Sequence, residues 1–138
     1  MTKRFYFDTS IWLDYYLKRG KNGEAAFKLI QKIVEDDYIL VFSDYVIKEL
    51  KRYGFTKNEI KNIIRLPKYT KLNKIHVNKF HILEARKLAF QRKIPFGDAI
   101  HAVLGKAEEA ILISKDHHFE KLKDIIIVKK PEDFIELF

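Results

Sequence analysis

Phe5-Tyr6-Phe7-Asp8-Thr9-Ser10 is the stretch from which the fold is inferred. Its three successive aromatic residues show no polar alternation, which is typical of a strand buried on both faces of a sheet. Asp8 then stands at the carboxyl end of that strand, the edge at which open α/β sheets bind ligands. A helical pattern follows, and the hydroxyl of Thr9 or Ser10 can cap its first turn. Because Asp is also common at caps and turns, this stretch alone leaves open whether Asp8 has a further role.

Short apolar strands alternate with helical patterns along the rest of the chain. Further strands are predicted at residues 38–42, 72–77, 111–114 and 125–128. Helices are predicted at about residues 11–17, 24–35, 44–50, 57–66, 79–93 and 98–105, with a helical turn near 119–122 and a last helix that begins at Pro131 and carries Phe134, Leu137 and Phe138. The suitable caps are Ser43, Asn78 and the capping box from Thr56 to Glu59. This alternation predicts an α/β fold, a three-layer α/β/α sandwich around a central, mostly parallel five-stranded sheet.

Length and composition indicate one globular domain spanning residues 1–138. The chain is 47% hydrophobic and 33% charged, and no apolar run approaches the roughly 18 residues of a membrane span. Lys3 and Arg4 lead directly into a strand with no signal-peptide pattern, so we expect a cytoplasmic protein. The absence of cysteine excludes disulfides, thiolate metal sites and cysteine nucleophiles. Any metal must therefore be bound by oxygen or imidazole.

The chain carries an excess of positive charge. Its formal net charge is +8, from 27 Lys and Arg against 19 Asp and Glu. Such an excess favours an anionic partner through long-range attraction and counterion release. Lysine-rich surfaces also occur for solubility or heat stability, so charge alone does not decide between these explanations.

Four acidic residues occupy places that a parallel fold brings towards one another. Asp116 follows the fourth strand and shares the carboxyl edge with Asp8, while Asp98 opens a helix that begins at that edge. Glu49 lies further along the helix that leaves the second strand. Crowded carboxylates repel one another unless a cation joins them, and oxygen ligands suit Mg2+ or Mn2+. Such a site can activate water for attack on a phosphodiester. Taken singly, each acid is equally well explained as a cap, a strand end or a surface ion pair.

At these residues the sequence resembles the PIN-domain family, in particular the small single-domain ribonucleases that act as toxins of toxin–antitoxin pairs. The resemblance spans nearly the whole chain. In chain order, the similar pieces are Phe7-Asp8-Thr9-Ser10, Glu49 within Val46-Ile47-Lys48-Glu49-Leu50, Gly97-Asp98-Ala99-Ile100-His101-Ala102, Ser114-Lys115-Asp116-His117-His118-Phe119, and Pro131-Glu132-Asp133-Phe134.

The resemblance implies a metal-dependent endoribonuclease that hydrolyses RNA phosphodiester bonds with Mg2+ or Mn2+. It implies that Asp8, Asp98 and Asp116 are metal ligands and that Glu49 is the fourth catalytic acid, with Ser114 supporting Asp116. The implied partners are RNA, a cognate antitoxin protein and a second copy of the chain, with no membrane. Substrate contacts are expected from Ser10 in the pocket and from basic residues that flank the edge: Lys48, Lys51, Arg52 and Lys115.

The histidines depart from the family pattern in one place. Many members carry another acid close to Asp116, where this chain has His117 and His118. One bound ion is therefore expected and a second is left open. His117 and His118 are interpreted as surface turn residues, with contact to a substrate phosphate or a transition metal as the alternative. His101 is interpreted as a helix residue beneath the site, since imidazole binds Mg2+ poorly.

Other classes of α/β protein match these residues less well than the nuclease does. Haloacid-dehalogenase-like enzymes need a second acid two residues after the first, where this chain has Ser10. Receiver-like domains need paired acids that are missing here. A catalytically inactive module of the same fold that binds RNA or protein is the open alternative, and metal-dependent cleavage distinguishes it from the nuclease.

Overall fold

The structure is a computed structural model that describes residues 3–65 and 67–134. Two 3-10 helices, His117–Leu122 and Pro131–Phe134, flank the last strand. The strands are β1 (Arg4–Phe7), β2 (Ile39–Ser43), β3 (Lys71–Ile75), β4 (Ile111–Ile113) and β5 (Val128–Lys129). The α-helices are α1 (Thr9–Tyr16), α2 (Gly20–Glu35), α3 (Asp44–Arg52), α4 (Lys57–Arg65), α5 (Lys79–Arg92) and α6 (Phe96–Ala107).

The sheet has five parallel strands in the order β3-β2-β1-β4-β5, which confirms the predicted α/β fold with a central parallel sheet. From β1 the chain adds β2 and β3 on one side and then returns to add β4 and β5 on the other. Because crossovers between parallel strands are right-handed, this reversal puts α5 and α6 on the face opposite α1 to α4. It also opens a crevice at the carboxyl ends of β1 and β4, where such sheets bind ligands.

The central strand is buried on both faces, as its aromatic run predicts. Phe5, Tyr6 and Phe7 are each at most 1% exposed. Phe5 lies opposite Leu40 of β2 and opposite Ile111 of β4. With both neighbours in place, β1 is the fixed element from which the following residue, Asp8, projects into the crevice.

Several helix starts follow the predicted capping residues, but the first does not. Ser43 and Asn78 cap α3 and α5 with their side chains, and Thr56 and Glu59 exchange both bonds of a capping box. The N-cap of α1 is Asp8, whose side chain accepts the N–H of Ile11, so the expectation that Thr9 or Ser10 caps this helix is wrong. Asp8 comes before both hydroxyl residues in the chain and occupies the N-cap position.

Three predicted boundaries shift by several residues. The run at 125–128 is mostly a turn, because the N–H groups of Ile125 and Ile126 donate to the carbonyl of Leu122, and β5 comprises only Val128 and Lys129. Helix α2 begins at Gly20 rather than near residue 24. Helix α6 begins at Phe96, with Pro95 as its N-cap, rather than at residue 98. The other strand ends differ by one or two residues.

The last predicted helix is described only in part. Pro131 begins a 3-10 helix that extends to Phe134. The predicted helical residues Leu137 and Phe138 lie outside the described residues. In residues 3–65 and 67–134, no helix has the length and apolar character needed to cross a membrane.

Candidate active site

The four acidic residues meet in the crevice at the carboxyl edge of the sheet. Asp8 directly follows β1 and is only 6% exposed. Asp98 lies in the first turn of α6, and Asp116 caps the 3-10 helix after β4. Glu49 reaches the crevice from α3. Its Oε2 atom lies close to Gly97, the residue before Asp98, since a Cβ atom added to Gly97 would be 3.7 Å from Oε2. The structure therefore brings together acids that are far apart in the sequence.

Asp8 is held through both of its carboxylate oxygens. Its Oδ1 accepts the main-chain N–H of Ile11 at 3.1 Å, and its Oδ2 accepts the hydroxyl hydrogen of Ser114. Burial raises the pKa of Asp8 to about 6, although the Ser114 hydrogen bond opposes the increase. The negative charge of Asp98 adds to the increase. A cation in the crevice would favour the ionised carboxylate, because it supplies the charge stabilisation that burial removes.

Glu49 receives two hydrogen bonds at one oxygen. The Thr9 hydroxyl donates to Oε1 at 2.6 Å, and Nε2 of His101 lies 2.6 Å from the same atom. Burial alone raises the pKa of Glu49, but the hydrogen bond and charge of His101, together with Thr9, bring this pKa below its ordinary value. Glu49 is therefore a carboxylate at neutral pH.

A buried chain of hydrogen bonds runs from Glu49 into the sheet. The other ring nitrogen of His101, Nδ1, lies 2.8 Å from the hydroxyl of Tyr6. The Tyr6 hydroxyl in turn lies 2.7 Å from the hydroxyl of Ser43. Ser43 in turn accepts the main-chain N–H of Val46 at 3.2 Å. When Nε2 of His101 donates to Glu49, every bond in the chain has one donor and one acceptor: Ser43 donates to Tyr6, and Tyr6 donates to Nδ1. The chain fixes the side chain of Glu49 from beneath.

The opposite wall of the crevice is less fully bonded. Nδ1 of His118 lies 3.0 Å from Oδ2 of Asp98 and 2.8 Å from Oδ1 of Asp116. Both Oδ2 of Asp98 and Nδ1 of His118 are buried atoms without a hydrogen-bond partner. Burial raises the pKa of Asp98, the charge of Asp116 raises it further, and His118 offsets part of the increase. Mutual repulsion of carboxylates and unpaired polar atoms thus coincide at this wall.

These residues fit a divalent cation. Buried polar atoms without partners are costly, and a bound ion would engage them. Carboxylate oxygens such as those of Asp8, Asp98 and Asp116 are the ligands that Mg2+ and Mn2+ prefer. Asp116, His117 and His118 also offer ligand atoms that lie within 4.8 Å of one another. The donor set agrees with the predicted metal site, while the role of each ligand stays a prediction.

The predicted substrate-binding residues lie around the site in different environments. Ser10 and Lys48 are exposed, as are Lys51 and Arg52. The positive charge of Arg52 contributes to the lowered pKa of Glu49, so it lies near the acids. Lys115 is already engaged, with its Nζ atom 3.1 Å from Oε1 of Glu132 and 2.5 Å from Oδ1 of Asn22. Their contacts with substrate stay predictions.

Sequence reasoning missed several residues that shape this site. Thr9 is expected only as a cap, yet it is buried and donates to Glu49, whereas Ser10 is exposed. His101 lies beneath the site as predicted but contacts Glu49 directly, through a ring that is 3% exposed. The sequence predicts Ser43 only as a helix cap and Tyr6 only as a buried strand residue, so neither is expected at the site. The signal available for Tyr6 and Ser43 is the presence of a polar atom in two strands that are otherwise apolar.

The family and the fold have counterparts among known proteins. A family model described as the PIN domain matches residues 5–125. VapBC2 from Rickettsia felis, bound to a DNA fragment from its promoter, is similar with a TM-score of 0.69 at 17% identity, over 92% of this chain and 98% of that chain. VapBC-1 from nontypeable Haemophilus influenzae gives 0.67 at 21% identity, over 93% and 98%.

A third similar structure is VapC20 from Mycobacterium tuberculosis, a toxin that cleaves the sarcin-ricin loop. It has a TM-score of 0.66 at 17% identity, over 86% of this chain and 94% of that chain. At these identities the structural likeness establishes a common fold. No curated protein sequence matches the chain.

Proposed function

The chain belongs to the PIN-domain family, and from this premise we propose that it is a metal-dependent endoribonuclease that hydrolyses RNA phosphodiester bonds. The observation that carries the proposal is the convergence of four acids in one crevice: Asp8, Glu49, Asp98 and Asp116. Two buried atoms of this crevice, Oδ2 of Asp98 and Nδ1 of His118, lack a hydrogen bond of good geometry. We further propose that the enzyme is the toxin of a toxin–antitoxin pair or an RNA-processing nuclease. We assign this activity to the cytoplasm.

The proposed chemistry divides between the ion and the side chains. A bound Mg2+ or Mn2+ supplies activation of water and stabilisation of the charge that develops on the leaving oxygen. Asp8, Asp98 and Asp116 would hold this ion. Glu49, kept as a carboxylate by His101 and Thr9, would orient the attacking water through a hydrogen bond. The hydrogen bonds at Oε1 limit the orientations of this carboxylate, which supports a positioning role for it.

RNA binding is proposed for the basic residues near the crevice. The net charge of +8 supplies long-range attraction to a polyanion. Lys48, Lys51 and Arg52 are exposed on α3, the helix that carries Glu49, and are proposed to contact phosphates. For Lys115, a phosphate would have to displace the carboxylate of Glu132. Ser10 is proposed to contact substrate from the exposed side of the first turn of α1.

An antitoxin protein is the proposed regulator of the nuclease. Structures similar to the chain include a toxin–antitoxin complex from Klebsiella pneumoniae and VapBC-1 from nontypeable Haemophilus influenzae. A basic side chain of such a partner would compete with the metal ion for the four acids, and would thereby inhibit cleavage. Inhibition that excess metal relieves is the expected behaviour.

A homodimer is proposed through α5. This helix exposes Phe80, Leu83 and Phe90, which are 71%, 58% and 87% exposed, at spacings that line one helical face. A row of exposed apolar side chains is typical of an interaction surface. Sedimentation equilibrium should give a dimer for the unmodified protein and a monomer for Leu83→Glu. Phe27→Glu, at an exposed apolar residue on α2, is the control and should leave the dimer intact.

The central experiment incubates the protein with end-labelled RNAs in Mg2+, in Mn2+ or in chelator. We expect cleavage that needs the ion and is lost in Asp98→Asn. Asp36→Asn is the matched control, because it removes an exposed carboxylate that pairs with Lys32 on α2, and it should cleave normally. Cleavage that persists in Asp98→Asn would contradict the proposed site. Retention of RNA without any cleavage would favour the alternative, an inactive RNA-binding module of the same fold.

A further inference from the structure

His118 lies against the least satisfied part of the crevice. Its Nδ1 atom is 2.8 Å from Oδ1 of Asp116 and 3.0 Å from Oδ2 of Asp98. Both approaches have the lengths of ion pairs, although neither this nitrogen nor Oδ2 of Asp98 completes a hydrogen bond of good geometry. Two atoms of the kinds that bind metals therefore face each other at a short distance.

The separations match those of ligands around one ion. Adjacent corners of an octahedron with bonds of about 2.1 Å lie about 3.0 Å apart. The distances from Nδ1 to the two carboxylate oxygens, 2.8 and 3.0 Å, agree with this spacing. Ion pairs of His118 with the two acids have the same lengths, and the binding and resonance measurements below distinguish the two arrangements.

The loop after β4 fixes these groups without any ion. The main-chain N–H of His118 donates to Oδ1 of Asp116 at 2.9 Å, and the N–H of Asp116 donates to the Ser114 hydroxyl at 3.0 Å. The same hydroxyl donates to Asp8. One short segment thus sets the relative positions of Asp8, Asp116 and His118, as a preorganised ligand set requires.

We propose that His118 is a ligand, through Nδ1, of the ion held by Asp98 and Asp116, and that it makes this site prefer Mn2+ to Mg2+. Imidazole nitrogen suits transition-metal ions, whereas Mg2+ is bound by oxygen. The inference rests on the proposed function in requiring an ion at this site. It goes beyond that function by adding a nitrogen ligand to the three carboxylates and by assigning the identity of the metal.

The neighbouring histidine provides a matched control. The side chain of His117 is 86% exposed, and its Nδ1 atom lies 3.8 Å from Oδ1 of Asp116. The two rings lie 4.3 Å apart between their centroids, so both would be close to a bound ion, but only His118 contacts Asp98. Replacing each in turn separates a ligand from a nearby imidazole.

The test measures ion binding directly. Calorimetric titrations with Mn2+ and with Mg2+ compare the unmodified protein, His118→Ala and His117→Ala, with circular dichroism to verify that each variant is folded. Pulsed electron paramagnetic resonance of the Mn2+-loaded samples detects nitrogen bound directly to manganese. His118→Asp, which replaces the nitrogen ligand by oxygen, is a second variant at the same position.

We expect His118→Ala to weaken Mn2+ binding by at least about tenfold. Loss of a group that only orients a metal ligand already weakens binding by about this factor, and loss of a ligand should weaken it at least as much. Mg2+ affinity should change much less, and the nitrogen coupling should disappear. His117→Ala should keep the coupling, and His118→Asp should shift the preference towards Mg2+. Nitrogen coupling that survives in His118→Ala, or equal losses for both ions, would overturn the inference.

The outcomes also separate this inference from the proposed function. If the unmodified protein binds and uses either ion but has no nitrogen bound to manganese, His118 is not a ligand and the proposed nuclease stands. If Asp98→Asn binds both ions as tightly as the unmodified protein, the ion is elsewhere and both proposals fail.

Discussion

Tyr6→Phe removes one oxygen atom from the centre of the buried hydrogen-bond chain. The Tyr6 hydroxyl joins Nδ1 of His101 to the hydroxyl of Ser43, and none of these three residues is more than 3% exposed. Phenylalanine keeps the ring and its packing, so the change isolates the polar contribution. It leaves an acceptor on His101 and a donor on Ser43 without partners.

The expected cost follows from those two unpaired groups. Each buried polar group left without a partner costs about 1–3 kcal/mol. Ser43 keeps its bond from the N–H of Val46, so its loss is at the lower end of that range. We therefore expect Tyr6→Phe to lower the free energy of unfolding by about 2–4 kcal/mol. Typical domains are stable by about 5–15 kcal/mol, so the variant should still fold.

Urea denaturation monitored by tryptophan fluorescence measures this change. Trp12 is the sole tryptophan and is fully buried, so its emission reports the loss of the core. The double variant Tyr6→Phe with Ser43→Ala provides the control, because it removes the orphaned donor as well. We expect the double variant to be less destabilised than the sum of the single changes, by roughly 1 kcal/mol.

Two results would refute this reasoning. A loss below about 0.5 kcal/mol for Tyr6→Phe would mean that its hydroxyl is not a required link. Strict additivity of Tyr6→Phe and Ser43→Ala would mean that the two hydroxyls do not interact. If the chain also positions Glu49, RNA cleavage by Tyr6→Phe should fall by about tenfold through kcat, as for other groups that orient a catalytic ligand.

In chelator, stability should fall by roughly 3 kcal/mol as the pH rises from about 4 to 6, because burial raises the pKa of Asp8 from 3.8 to about 6 and the folded protein binds that proton more tightly. Urea titrations across this pH range should show a clearly smaller fall for Asp8→Asn, where only Asp98, whose pKa is also raised, still contributes. Gly23→Ala should destabilise by about 1–3 kcal/mol, since the added Cβ would lie 2.6 Å from the Asp14 carbonyl oxygen; a stabilised variant, as expected at an uncrowded helical glycine, would refute this. Lys48→Ala, in an Asp98→Asn background, should weaken binding of single-stranded RNA. In fluorescence anisotropy, the slope of the logarithm of the binding constant against the logarithm of the salt concentration should become less steep by about 0.7. An unchanged slope would exclude a phosphate contact.

The centre of the sheet was predictable because β1 is buried on both faces. Phe5, Tyr6 and Phe7 have no polar alternation, and β1 is indeed the central strand. The same rule fails at residues 125–127, because an apolar run is compatible with any buried segment. There the N–H groups of Ile125 and Ile126 bond within a turn, and Ile126 contributes its side chain to the core without joining the sheet.

The site was predictable to the extent that topology determines it. Asp8 and Asp116 follow parallel strands, so they share an edge whatever their side chains do. The choice between Thr9 and Ser10 was not predictable, because it depends on which residue is the N-cap. Once Asp8 takes that position, Thr9 becomes the first residue of α1 and donates to Glu49, while Ser10 is exposed.

The two walls of the crevice differ in a way that bears on where an ion would bind. On one wall, Asp8 and Glu49 have their hydrogen bonds supplied by the protein, so their positions are set before any ion arrives. On the other, Asp98 and His118 keep buried atoms without partners. Because an ion gains most by engaging groups that the fold leaves unsatisfied, we infer that it is anchored at the Asp98 wall. In the proposed mechanism Glu49, fixed from beneath by His101, would then act on the water across the crevice rather than on the ion.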